Sequence, residues 1–141
     1  MRAEDLLREP ERLGRKIVIL AKEIDRIRND LLPGGVDYAA DRVQGGGGVD
    51  RYPPAMDRIL AREKKIQDLN ARRMWLIEER IPWLLSQIQN ELARDVVRAY
   101  YCEGRNTMEE VAEMLHIAYA TAYRYRYMGE DDIQKVIDSE R

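Results

Sequence analysis

Leu13, Ile17, Leu20, Ile24, Ile27 and Leu31 recur at alternating steps of four and three, and over this stretch that spacing fits a helix with one narrow apolar seam. Arg15, Lys16, Lys22, Glu23, Asp25, Arg26 and Arg28 fill the remaining faces and read as solvated surface. A second, weaker seam follows in Ile59, Ile66, Leu69 and Leu76, interrupted by Arg62, Arg73 and Arg80, whose long stems can lie over apolar surface. The first helix is expected over residues 3–32, firm from Glu11 because Pro10 and Gly14 weaken its first turns. The second is expected over residues 54–80, entered at Pro53 and Pro54. Residues 33–53 carry two turn clusters and the run Gly45, Gly46, Gly47 and Gly48, the composition of a flexible connection. Two such helices most simply form an antiparallel, coiled-coil-like hairpin. Pairing of each helix with another protomer, giving a homo-oligomer, stays open.

Pro82 signals a kink or restart. Beyond it Trp83, Leu84, Leu85, Ile88, Leu92, Val96, Val97 and Tyr100 predict a third amphipathic helix, with Trp75 and Trp83 as core residues at the junction and Cys102 buried. Gly104 is placed to stop it. Thr107 and Glu110 then have the Thr-x-x-Glu spacing of a capping box. A short helix is expected from Met108, with Met108, Val111, Ala112 and Leu115 inward and Glu109, Glu110 and Glu113 outward. It ends near His116, Ile117 fills the crevice of a sharp turn, and another helix opens around Ala118. Either that helix runs on through Gly129, carrying Ile133, Val136 and Ile137, or Gly129 ends it and Asp131 caps a short final helix.

The helix over residues 118–128 has two contrasting faces. Ala118, Ala122, Tyr125 and Gly129 form a small, apolar, inward side. Ala120, Tyr123, Arg124 and Tyr127 cluster opposite, flanked by Tyr119 and Arg126. A DNA major groove admits a helix, and a guanidinium can bond two guanine edge atoms at once, so Arg124 is the candidate base reader. Tyrosines supply phosphate bonds or contact with thymine methyls. Arg105, Thr107 and Thr121 complete the candidate DNA-binding set. The same Tyr and Arg content also suits a protein interface.

Thr107-Met-Glu-Glu-Val-Ala-Glu-Met-Leu-His-Ile117, followed by residues 118–126, resembles region 4 of sigma factors and, more closely, the RinA-type and ArpU-type phage late transcription regulators. Asp41, Arg42, Val43, Gln44 and Asp50, between the two helical segments, are similar to that family's pattern as well. The resemblance implies a small all-helical DNA-binding activator of phage or prophage origin, with Tyr119, Ala120, Tyr123 and Arg124 facing the groove. The family usually has Ser or Thr where Ala118 stands, which removes an N-cap worth about 1 kcal/mol.

Composition excludes more than it selects. The single Cys102 cannot form an internal disulfide, no Cys/His cluster has metal spacing, and no apolar run approaches the roughly 20 residues a bilayer needs. No signal peptide is read, so the expected location is the cytoplasm of a bacterial host cell. The four glycines lack a following Gly-Lys-Ser/Thr, and Asp37, Asp41 and Asp50 lack the spacing of a calcium loop. His116 has no nucleophile arranged beside it, so neither an enzyme nor a cofactor is expected. The formal net charge of −2 predicts a weak nonspecific grip on phosphate.

The fold expected is therefore all-α. Residues 1–81 form the helical hairpin and residues 82–141 a helix-turn-helix domain. The function expected is a sequence-specific regulator that binds double-stranded DNA, with a hairpin that either sets its oligomeric state or touches RNA polymerase. Two alternatives stand beside it: a small terminase-like subunit for packaging phage DNA, and a coiled-coil interaction module that binds no DNA.

Overall fold

In a computed structural model, residues 1–31, 47–104 and 106–141 are described, with backbone alone over 47–52. The fold is all-α: every regular element among the described residues is helical. Helix α1 spans Ala3–Leu31 and α2 spans Gly47–Trp75. A π-helical turn, Leu76–Arg80, then leads into α3, Ile81–Ser86. The C-terminal part holds α4 (Glu91–Tyr101), α5 (Met108–Met114) and α6 (Tyr119–Ser139). No described helix is long and apolar enough to cross a membrane.

The described residues divide into two compact units, and the first is Arg12–Arg73. Here the seam expected from the heptad spacing turns inward: Leu13, Ile24 and Ile59 are buried, and Ile17, Leu20 and Ile27 are half-buried. Glu23 accepts a 2.8 Å hydrogen bond from Arg62, Arg28 donates one of 2.9 Å to Glu63, and Gly14 lies against Arg73. Gly14, early in α1, meets Arg73 late in α2, whereas Glu23 and Arg28, further along α1, meet Arg62 and Glu63 nearer the middle of α2, so the pair is antiparallel. The exposed Arg28–Glu63 pair and the partly buried Arg62–Glu23 pair fix register more than they stabilise, since solvent-accessible pairs contribute about 0–1 kcal/mol each.

The second unit joins Met1–Glu11 to Met74–Arg141. This division differs from the boundary expected at residue 81, because the first turns of α1 belong with the C-terminal helices. Helix α1 starts at Ala3, as the expected range has it, and is regular from there rather than only from Glu11, with Pro10 accommodated within it. Ala3, Leu6 and Leu7 are buried there, which offsets the backbone bond that Pro10 cannot donate. The expected third helix is two helices. Asn90 takes an extended backbone and its side chain accepts from the Ala93 amide at 3.0 Å, an N-cap that starts α4 afresh.

Three further expectations are corrected. Helix α2 begins at Gly47, so Gly47 and Gly48 are helical and Pro53 and Pro54 lie inside it; a proline's fixed φ suits a helix even where its missing N–H does not. The remainder of the glycine-rich connection, with Asp41 to Gln44, lies outside the described residues. Trp75 and Trp83 are 41% and 46% exposed instead of core, with Trp83 under the Arg80 guanidinium 5.4 Å from its ring. Cys102 is exposed at the C-cap of α4, because the helix ends before its side chain can turn inward.

The core of this unit runs through Leu76, Leu84, Ile88, Val96, Val97 and Ile133, all fully buried. A contiguous cluster of Val96, Ala99, Met108, Val111, Ala112 and Ala122 ties α4, α5 and α6 together. Helix α6 continues through Gly129. A Cβ there would stand 2.6 Å from a Val97 methyl and 3.2 Å from the Ala93 carbonyl oxygen, so α4 and α6 approach at a point where only hydrogen fits.

Candidate nucleic-acid interface

Helix α5 starts as its sequence demands. Thr107 takes an extended backbone, and its hydroxyl accepts from the Glu110 amide at 3.1 Å while meeting the Glu110 carboxylate at 3.3 Å. Met108, Val111 and Ala112 are buried and Leu115 half-buried; Glu109, Glu110 and Glu113 are exposed. The helix closes with Leu115 as cap, and His116 adopts φ 55°, the left-handed conformation that reverses the chain. The Ile117 amide reaches back to the Ala112 carbonyl at 3.0 Å, and its side chain packs on the α4–α5–α6 cluster. Ala118 then caps α6 with backbone only and stays exposed, so the inward stripe starts one turn later at Ala122.

Two surfaces of α6 follow. Ala122, Gly129, Ile133 and Ile137 are buried, and Tyr125 is half-buried against the cluster. Outward stand Tyr119, Ala120, Arg124 and Tyr127, with Thr121 and Tyr123 half-buried beside them. Tyr119, Tyr123 and Tyr127 form a ladder along one side. The Tyr119 hydroxyl donates to that of Tyr123 at 3.1 Å, those rings meet edge-on at 4.9 Å, and the rings of Tyr123 and Tyr127 stack at 6.1 Å. The bond to Tyr123, with the nearby Glu109 charge adding to it, pushes the Tyr119 phenol up to about 12. The hydroxyls along the ladder can both donate and accept. Arg124 rests beside the Tyr125 ring at 5.2 Å and makes no ion pair among the described residues.

Arg126 departs from its expected place on that face. It is only 9% exposed, and its Nε donates to a Glu130 carboxylate oxygen at 2.8 Å. The same oxygen accepts from the Tyr101 hydroxyl. The guanidinium lies 4.4 Å from the centre of the Tyr100 ring and 5.4 Å from that of Tyr127. Burial works against its charge, but the Glu130 bond and the surrounding phenols outweigh that and hold its pKa above the ordinary arginine value. Arg8 of α1 closes the cage, donating to the Tyr100 hydroxyl at 3.0 Å. Arg126 is thus a support under the tyrosine ladder. Arg105 lies outside the described residues, and Thr107 serves as the cap of α5.

The cage was readable in part. Stepping about 100° per residue puts Arg126 only about 40° from Ala122, on the inward side, with Glu130 one turn further along the helix. The adjacent Tyr100 and Tyr101 and the distant Arg8 carried no such local signal. Among the described residues no group of acids, histidine or cysteine could hold a metal ion.

Comparison with family models, with characterised proteins and with solved structures returned no match.

Proposed function

We propose that this chain is a sequence-specific DNA-binding protein, in which α5, the turn at residues 115–118 and α6 act as a helix-turn-helix. More particularly, it is a transcription regulator of phage or prophage kind, as its resemblance to the RinA-type and ArpU-type regulators implies, working in the cytoplasm of a bacterial host. The observation that carries this reading is the division of α6 into a buried small-residue stripe and an outward face. On that face Arg124 makes no ion pair among the described residues and lies over the Tyr125 ring. A helix entering the major groove needs this arrangement at its N-terminal end. RNA polymerase as a partner, and self-association through α1 and α2, belong to the same proposal.

Selection of bound duplexes from a randomised pool tests it. The expected result is an enriched motif, with Arg124→Ala losing about 1–3 kcal/mol of preference at one base position. Equal binding of all duplexes by both proteins defeats the reading. The exposed Met74, Ile77 and Trp83 favour a protein-binding module as the second reading. No enrichment from the pool would leave that one standing.

A further inference from the structure

A hollow beside the outward face of α6 is lined by Arg2, Glu4, Arg124, Tyr127, Asp131 and Gln134, among others. Gln134 brings the start of the chain there. Its Oε1 accepts from the Ala3 amide at 2.7 Å and its Nε2 donates to the Met1 carbonyl at 3.1 Å, so Arg2 is held between two anchored backbone groups. The acids of the hollow are compensated: Glu4 by Arg8 at 3.2 Å, Glu130 by Arg126 at 2.8 Å and Asp131 by Lys135 at 3.2 Å. Arg2 and Arg124 are not. Both are exposed, and neither makes an ion pair among the described residues. Two unspent guanidinium groups therefore share one hollow, continuous with Tyr127 of the outward face.

Resting on the DNA reading above, we infer that Arg2 is a further DNA contact, one that grips a backbone phosphate next to the base reached by Arg124. A reading helix leaves the groove past its sugar-phosphate wall, and a guanidinium that shares a hollow with the base reader, on a chain start anchored at Gln134 further along the helix, meets that wall. Such a contact adds affinity without adding sequence preference. It also supplies some of the phosphate grip that a chain of net charge −2 otherwise lacks.

The experiment measures full-chain affinity for a duplex recovered from the randomised pool, across about 50–200 mM salt. Arg2→Ala is expected to weaken binding roughly threefold to tenfold on every duplex tested and to reduce the salt slope by about one, with the selected motif unchanged. Arg2→Lys should restore most of the loss, since lysine meets phosphate as a point charge. Gln134→Ala, which keeps Arg2 but frees it, should give a smaller loss with the same motif. An unchanged slope in Arg2→Ala, or a changed motif, overturns the phosphate contact while leaving the DNA reading intact. Failure of the unaltered chain to bind any duplex removes both.

Discussion

Gly129→Ala is the substitution that most directly probes how α6 is seated. The added methyl carbon would stand 2.6 Å from the Val97 Cγ2 and 3.2 Å from the Ala93 carbonyl oxygen. Ordinary carbon–carbon contact is about 3.5–4.0 Å, so the overlap approaches 1 Å. Valine in a helix has one strongly preferred χ1, and the Ala93 oxygen belongs to a helical backbone, so neither neighbour can swing aside. Overpacking of this kind costs about 1–3 kcal/mol, against about 0.8–1 kcal/mol recovered when alanine replaces glycine inside a helix. The expected net effect is a loss of up to about 2 kcal/mol. Urea denaturation followed by tryptophan fluorescence measures it, because Trp75 and Trp83 both belong to the unit that contains Gly129. Gly14→Ala is the control. Its nearest neighbour is the flexible Arg73 side chain at 3.4 Å, so that variant should gain about 0.5–1 kcal/mol by far-ultraviolet circular dichroism. Pairing Gly129→Ala with Val97→Ala should recover part of the loss through a favourable coupling. If Gly129→Ala stabilises as Gly14→Ala does, the close crossing of α4 and α6 is refuted, and with it the inward register of the stripe that begins at Ala122.

Other substitutions separate support from recognition. Arg126→Ala strips the guanidinium from a Glu130 carboxylate whose side chain is 15% exposed and should cost about 2 kcal/mol or more in the urea midpoint; Arg124→Ala should change stability by less than about 0.5 kcal/mol. Similar small effects for both would dissolve the cage. Asn90→Ala should lose about 1 kcal/mol and Asn90→Asp much less, which thermal melts of the two variants can check. Burial, then the Glu130 bond, raises the Tyr101 phenol above its ordinary value of 10.0. The folded state therefore holds this proton more tightly than the unfolded one. Stability is at its full value below about pH 10 and falls as pH rises beyond it, and Tyr101→Phe should flatten that decline in a pH series of urea midpoints.

The residues that were legible in the sequence are those whose partners lie within a few positions. The heptad from Leu13 to Leu31, the Thr107 cap, the turn at Ile117 and the inward set of Met108, Val111 and Ala112 depend on local spacing, and the described structure carries each of them. Periodicity states which residues share a face but not what covers it. Apolar character alone places Trp75 and Trp83 in the core, and the structure leaves them open. Asn90 gives no local signal of a break, because Ile88 and Leu92 on either side keep helical spacing across it. Charge suggests an outward Arg126, although its position on the helix points inward. The cage that receives it draws on residues 8, 100, 101 and 130, a grouping that no window of sequence contains.

A single unbroken helix carries both surfaces of α6, and this makes its two tasks separable by substitution. Ala122, Gly129, Ile133 and Ile137 answer to the neighbouring helices; residues 120, 124 and 127 answer to whatever lies outside. Exchanges at the outer positions can redirect what the surface selects with little penalty in folding, whereas exchanges along the inner stripe displace every outer residue together. Such a helix is a suitable scaffold for library-based retargeting: diversity confined to those three outer sites should yield folded variants in most draws, while Arg126, though only two residues from Arg124, should be held constant.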